Sequence, residues 1–90
     1  MAELHEHRIK RLKMRSMRRG IKEMDLILQR FAERHLDGMQ DAGLALYDQM
    51  LSENDHDLYQ WVTGQVEPPD HYSTLIESII SDLPETSSSA

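Results

Sequence analysis

Apolar residues recur along this chain at steps of three and four and almost nowhere at steps of two, so the pattern predicts helices and no sheet. A first helix over about Leu4 to Met17 carries a thin stripe, Ile9, Leu12 and Met17, before Gly20 interrupts it. Ile21, Met24, Ile27, Leu28, Phe31 and Ala32 then mark an amphipathic second helix running to Leu36. Asp37-Gly38 stops it, with Gly38 suited to the left-handed position after a helix. Asp41 is expected to cap a third helix that buries Leu44, Leu46, Tyr47, Met50 and Leu51. After the polar break Ser52-Glu53-Asn54, Asp55 or Asp57 starts a short fourth helix with Leu58, Trp61 and Val62, closed by Gly64. Pro68-Pro69 forces an extended entry to a fifth helix, capped by Asp70, with Tyr72, Leu75, Ile76, Ile79, Ile80 and Leu83 facing inward and Pro84 at its end.

These elements imply an all-α fold, a compact five-helix bundle with short connections. The single small domain is expected over residues 1–84. Residues 85–90, rich in serine and with nothing to bury, are expected to be a disordered tail. A chain of 90 residues hides only about 60–65% of its unfolded surface, and a deep substrate pocket would use up a large share of so small a core. That argues against an enzyme. With no cysteine, disulfides, thiolate chemistry and sulfur-ligated metals are excluded. No apolar run approaches the ~20 residues that span a membrane.

Charge divides the chain. The segment 8–22 holds eight of the ten basic residues and no acid, whereas eleven carboxylates and no lysine or arginine follow Arg34. A net charge of −6 disfavours a generic nucleic-acid binder, although the basic segment alone could meet phosphate. The four glycines are too scattered for a phosphate loop, and the five histidines lack ligand spacing, so no metal is expected. Nothing marks a serine as activated, and Asp55 and Asp57 read as helix-terminus acids rather than a catalytic pair. No catalytic residue is assigned.

At the junction of the cationic helix and the acidic body stands Arg19-Gly20-Ile21-Lys22-Glu23. Gly20 can turn the chain with positive φ between two helices, and Glu23 falls where a helix N-terminus favours a carboxylate. Taken alone, the motif reads as a helix–turn–helix joint. A bare glycine also lets another protein's backbone approach, with Arg19 as forked donor and Glu23 as acceptor beside the gap. The two readings are compatible.

Arg19, Gly20, Glu23 and Asp25 match R-G-x-x-E followed by an acid, and further matches follow in order. These are Phe31-Ala32-Glu33-Arg34-His35-Leu36, Leu46-Tyr47-Asp48, and Asp57-Leu58-Tyr59-Gln60-Trp61 before a proline-containing loop. Over about 8–83 the chain resembles the small flavinylation factors of succinate dehydrogenase and fumarate reductase, the SdhE family. The resemblance implies an accessory factor that binds the flavoprotein subunit and promotes joining of a histidine to the 8α-methyl of FAD, a catalysis by positioning. FAD would then belong to the partner, with no cofactor held stably by this chain.

By the same resemblance Arg19, Gly20 and Glu23 lie at the centre of the partner surface and Arg18, Lys22 and Asp25 at its rim. Trp61 is expected in the core, Asp57 as a cap, and Tyr59 exposed. The implied protein is a monomer of the bacterial cytoplasm, with no nucleic-acid or membrane partner. The alternative is an antitoxin-like or nucleic-acid-binding regulator using the basic N-terminal helix. Against it, the helix after Gly20 is apolar or acidic where base-reading groups would be needed.

Overall fold

Five α-helices follow one another in a computed structural model that describes residues 3–83. They are α1 (His5–Arg15), α2 (Lys22–His35), α3 (Asp41–Met50), α4 (Asp55–Val62) and α5 (Ser73–Ser81), with single 3-10 turns at Leu36–Gly38 and Asp70–Tyr72. The all-α, five-helix expectation holds. Pro84 and the expected tail lie outside the described residues.

The central element is α2, which packs against α1, α4 and α5. Its Met24, Leu28, Phe31 and Ala32 recur every three or four residues and are all buried. Opposite them sit Leu12 from α1, Leu44, Tyr47 and Met50 from α3, and Leu58 from α4, each fully buried. Burial of each such side chain is worth about 1.5–3 kcal/mol. Trp61 is core, 8% exposed, and its ring meets Tyr72 at 5.7 Å. Four expected positions move outward: Leu46 and Leu83 are half-buried, Ile80 is 40% exposed and Met17 39% exposed. Each sits at the edge of its stripe, where one further step of 100° carries a side chain past the contact line. Tyr59 is half-buried against the core rather than exposed.

Helix ends differ more than helix bodies. Gly64 closes α4 as expected, with φ +81°, and Gln65 N–H donates to Gln60 O at 2.9 Å in the left-handed closing motif. Gly38 does not take that role after α2; it lies within the 3-10 turn without a positive φ. Asp41, Asp55 and Asp70 do not cap. Gln40 precedes α3 without a side-chain bond, Asp70 opens a 3-10 turn, and Asn54 caps α4 by accepting from His56 N–H at 2.8 Å. Asp57, expected to be a cap, lies inside the first turn of α4.

The acidic body and the basic helix meet across these packings. Asp48 on α3 accepts from Arg11 at 3.1 Å and from Arg15. Asp82, just past α5 and with its side chain only 5% exposed, gathers Arg34 at 2.7 Å, His35 at 2.9 Å and Arg30 at 3.6 Å, all from α2. One buried hydroxyl pair adds to this: Ser16 Oγ donates to Leu12 O at 2.8 Å and lies 2.6 Å from the Tyr47 hydroxyl.

The protonation equilibria follow from these contacts. The Arg11 guanidinium holds the Asp48 carboxyl below the usual range, with Arg15 assisting. Burial pushes the Asp82 carboxyl up, but its bonds from His35 and Arg34 outweigh that and leave it lowered. Burial pushes both Tyr47 and Tyr72 up to about 12, and for Tyr72 the Glu53 carboxylate that accepts its hydroxyl at 2.8 Å pushes the same way. Depressed carboxyls give stability that is present above about pH 4 and lost as pH falls through the folded-state value. Raised phenols give stability that is present below about pH 10 and lost as pH rises toward the folded value. The melting temperature should therefore plateau between these limits and fall on both sides. Thermal scans of Asp82→Asn should show a flatter acid limb; an acid limb as steep as that of the parent would remove Asp82 from this account.

Candidate functional site

The motif occupies the connection between α1 and α2. Backbone bonds from Ser16 N–H to Leu12 O at 3.0 Å and from Met17 N–H to Met14 O at 3.1 Å draw out the end of α1. The chain then reverses through Arg18, at φ 59°, and not through Gly20 as expected. A left-handed arginine costs on the order of 1 kcal/mol. The Asp25 carboxylate, in the first turn of α2, offsets that cost by accepting the Arg18 N–H at 2.7 Å.

Gly20 is exposed, and a side chain there would crowd one neighbour. A Cβ there would stand 3.1 Å from Asp55 Oδ2. The Gly20 N–H donates to that same oxygen. The other oxygen, Oδ1, accepts from Arg19 Nε at 2.9 Å and lies 2.8 Å from Nη2. Arg19 also donates to Leu51 O at 2.9 Å and to Arg15 O at 3.1 Å. Its side chain is 12% exposed, and that of Asp55 16%.

The six expected site residues thus divide. Arg18, Gly20, Lys22 and Glu23 are exposed, while Arg19 is turned into the chain and Asp25 is half-buried as a brace. Sequence reasoning did not include Asp55, which it took as a helix-terminus acid. Met17 and Leu26 add apolar surface beside the motif, 39% and 60% exposed. Leu26 lies three residues after Glu23, on the same side of α2.

The basic helix is mostly occupied by its own protein. Arg8, Arg11, Lys13, Arg15 and Arg19 of the 8–22 segment each have a carboxylate within 4.0 Å. Among the described residues, Lys10, Arg18 and Lys22 form no such pair. Three cations give a phosphate-binding helix far less leverage than eight. Among the described residues, no group of three histidine or acidic side chains is placed to hold a metal. No helix among the described residues is long and apolar enough to cross a membrane.

This arrangement of a rigid turn, an exposed glycine and flanking charges coincides with a family match: the family described as "Flavinator of succinate dehydrogenase" matches residues 10–83. The chain belongs to that family. It is 49% identical over 61 residues to succinate dehydrogenase assembly factor 2, mitochondrial, of Meyerozyma guilliermondii, covering 68% of this chain and 45% of the relative. It is 40% identical over 79 residues to the protein of the same name from Schizosaccharomyces japonicus, covering 88% of this chain and 54% of the relative. Against assembly factor 2-B, mitochondrial, of Drosophila mojavensis, identity is 38% over 77 residues, covering 83% and 49%. The chain spans about half the length of the curated relatives it matches. These relatives are named as mitochondrial proteins of eukaryotes, which overturns the expectation of a bacterial cytoplasmic protein. That expectation leaned on the bacterial members the motif first suggested, and membership of the family does not fix a compartment.

Proposed function

We propose that this flavinator-family chain is an accessory factor that docks on the flavoprotein subunit of succinate dehydrogenase and promotes covalent attachment of FAD to that subunit's histidine. The observation that carries the docking surface is the turn at 18–23, braced from both sides while its outer face is left open. Gly20 offers a side-chain-free approach, Glu23 and Lys22 offer opposite charges next to it, and Met17 and Leu26 offer adaptable apolar area. A small apolar patch with a charged rim and a rigid backbone is what a protein partner can grip without ordering the loop first.

The residues of this chain act by holding the partner's domains, so that flavin and histidine stay in reactive geometry; the bond itself forms within the partner. Fumarate reductase flavoprotein is the second client under this reading. We place FAD on the partner, and the protein acts as a monomer with no nucleic-acid or membrane partner.

Glu23 is exposed and makes no side-chain bond among the described residues, so its truncation should leave the fold alone. Purified Glu23→Ala, incubated with flavin-free succinate dehydrogenase flavoprotein and FAD, should yield several-fold less covalent flavin by in-gel fluorescence. Its melting temperature should stay within about 3 °C of the parent, as for other surface changes. An undiminished flavin yield removes Glu23 from the docking surface.

A further inference from the structure

We propose that Asp55 is the positioning residue of the docking turn, and that Arg19 acts through Asp55 rather than by contact with the partner. The inference rests on the docking reading above. Asp55 is the first residue of α4, but it is not the cap of that helix, a role that Asn54 fills. Its carboxylate instead reaches an element 35 positions earlier in the chain, and both oxygens are in use there. Oδ2 takes the Gly20 N–H, and Oδ1 takes the Arg19 fork. All three guanidinium nitrogens of Arg19 donate within the chain, to Asp55, to Arg15 O and to Leu51 O. A partner carboxylate could engage that fork only by breaking these bonds.

The consequence concerns preorganisation. Asp25 pins the Arg18 N–H from α2, and Asp55 pins the Gly20 N–H from α4, so two different helices fix consecutive stretches of one short turn. Without Asp55 the Gly20 amide and the Arg19 side chain lose their shared anchor, and the turn spreads over several conformations. Partner affinity then falls by the fraction of molecules that still hold the competent one. The maximal rate of flavin attachment, reached when the partner is saturated, is unchanged, because Asp55 does not touch it.

The test measures the dissociation constant for flavin-free succinate dehydrogenase flavoprotein by calorimetry. It compares the parent, Asp55→Ala, Arg19→Ala and the double variant, with Gly20→Arg as a reference for the docking surface. Amide exchange by NMR is followed in parallel at Gly20 and at core residues such as Leu28. Asp55→Ala should bind at least tenfold more weakly, and the double variant should be no weaker than the weaker single. Gly20 exchange should accelerate while core exchange holds, and saturating factor should restore the parent's flavin yield. Should Asp55→Ala not fold, Asp55→Asn serves, since its amide oxygen can accept from only one of the two anchors, and the same Gly20 exchange is read.

Parent-like affinity for the Asp55 variants alongside a dead Gly20→Arg overturns the positioning role and leaves the docking reading standing. Multiplying losses in the double variant also overturn it, because they place Arg19 against the partner. Parent-like affinity in all variants, Gly20→Arg included, removes the docking surface itself.

Discussion

Gly20→Arg chains are expected to lose at least about a hundredfold in partner affinity, equivalent to ~2.7 kcal/mol, while keeping their helices. Two features of the structure give this result. The backbone at Gly20 has no positive φ, so an L side chain is not strained there, and the position is exposed. The added Cβ meets only Asp55 Oδ2, at 3.1 Å, a contact that a shift of a few tenths of an ångström relieves. The cost to folding should therefore stay near or below about 1 kcal/mol, roughly 4–8 °C in melting temperature for a domain of this size. On the proposed docking reading the cost to docking is of another order, because an arginine side chain would fill the space over exposed Gly20 through which a partner backbone would come close.

Gly20→Ala makes the argument graded. It applies the same push on Asp55 without the long side chain, and so should lie between parent and Gly20→Arg. Circular dichroism, calorimetry with the flavoprotein subunit and in-gel flavin fluorescence together read all three quantities. A Gly20→Arg chain that unfolds would make the glycine a joint of the fold and nothing more. One that folds and binds normally would place the partner elsewhere.

The helices were legible because burial repeats with the helical period. Met24, Leu28, Phe31 and Ala32 on α2 and Leu75, Ile76 and Ile79 on α5 form stripes that a sequence displays directly. The family motif was legible as a pattern of residue types at fixed spacing. Which way its arginine points was not legible, since that depends on Asp55, separated from Arg19 by 36 positions. The same holds for Asp48 with Arg11 and for Asp82 with Arg34 and His35, separated by 37, 48 and 47 positions.

A signal for these pairs did exist. A chain with its cations in one third and most of its carboxylates in the rest can pair them across the fold, and here the basic stripe forms one half of an internal electrostatic seam. The caps were misplaced for a related reason. Asn54, Asp55 and Asp57 are all good cap residues in sequence, and only packing decides which of them faces the open amide groups and which is drawn away to a distant arginine.

Phe31→Ala should be among the most destabilising single changes in the chain while leaving the docking turn untouched. Phe31 is 2% exposed, with its ring 5.7 Å from Tyr47 and 4.7 Å from His35. Truncating a buried phenylalanine typically costs about 3–5 kcal/mol, from lost transfer energy plus the cavity left behind. A domain of this size has only about 4–12 kcal/mol in total, so the variant should melt at least about 12 °C lower. The loss is not confined to the cavity. The ring of His35 rests on Phe31 while its Nε2 meets Asp82, so removing the phenyl face also loosens the contact that ties the end of α5 to α2. Phe31→Leu refills most of the volume and should recover more than half of the loss, whereas a loss below about 1 kcal/mol for alanine would mean that the core closes around the gap. Measured well below its new melting temperature, the alanine variant should still bind the flavoprotein subunit with near-parent affinity. Asp25 and Asp55 hold the turn from the first turns of α2 and α4, and neither contact passes through the middle of α2 where Phe31 packs.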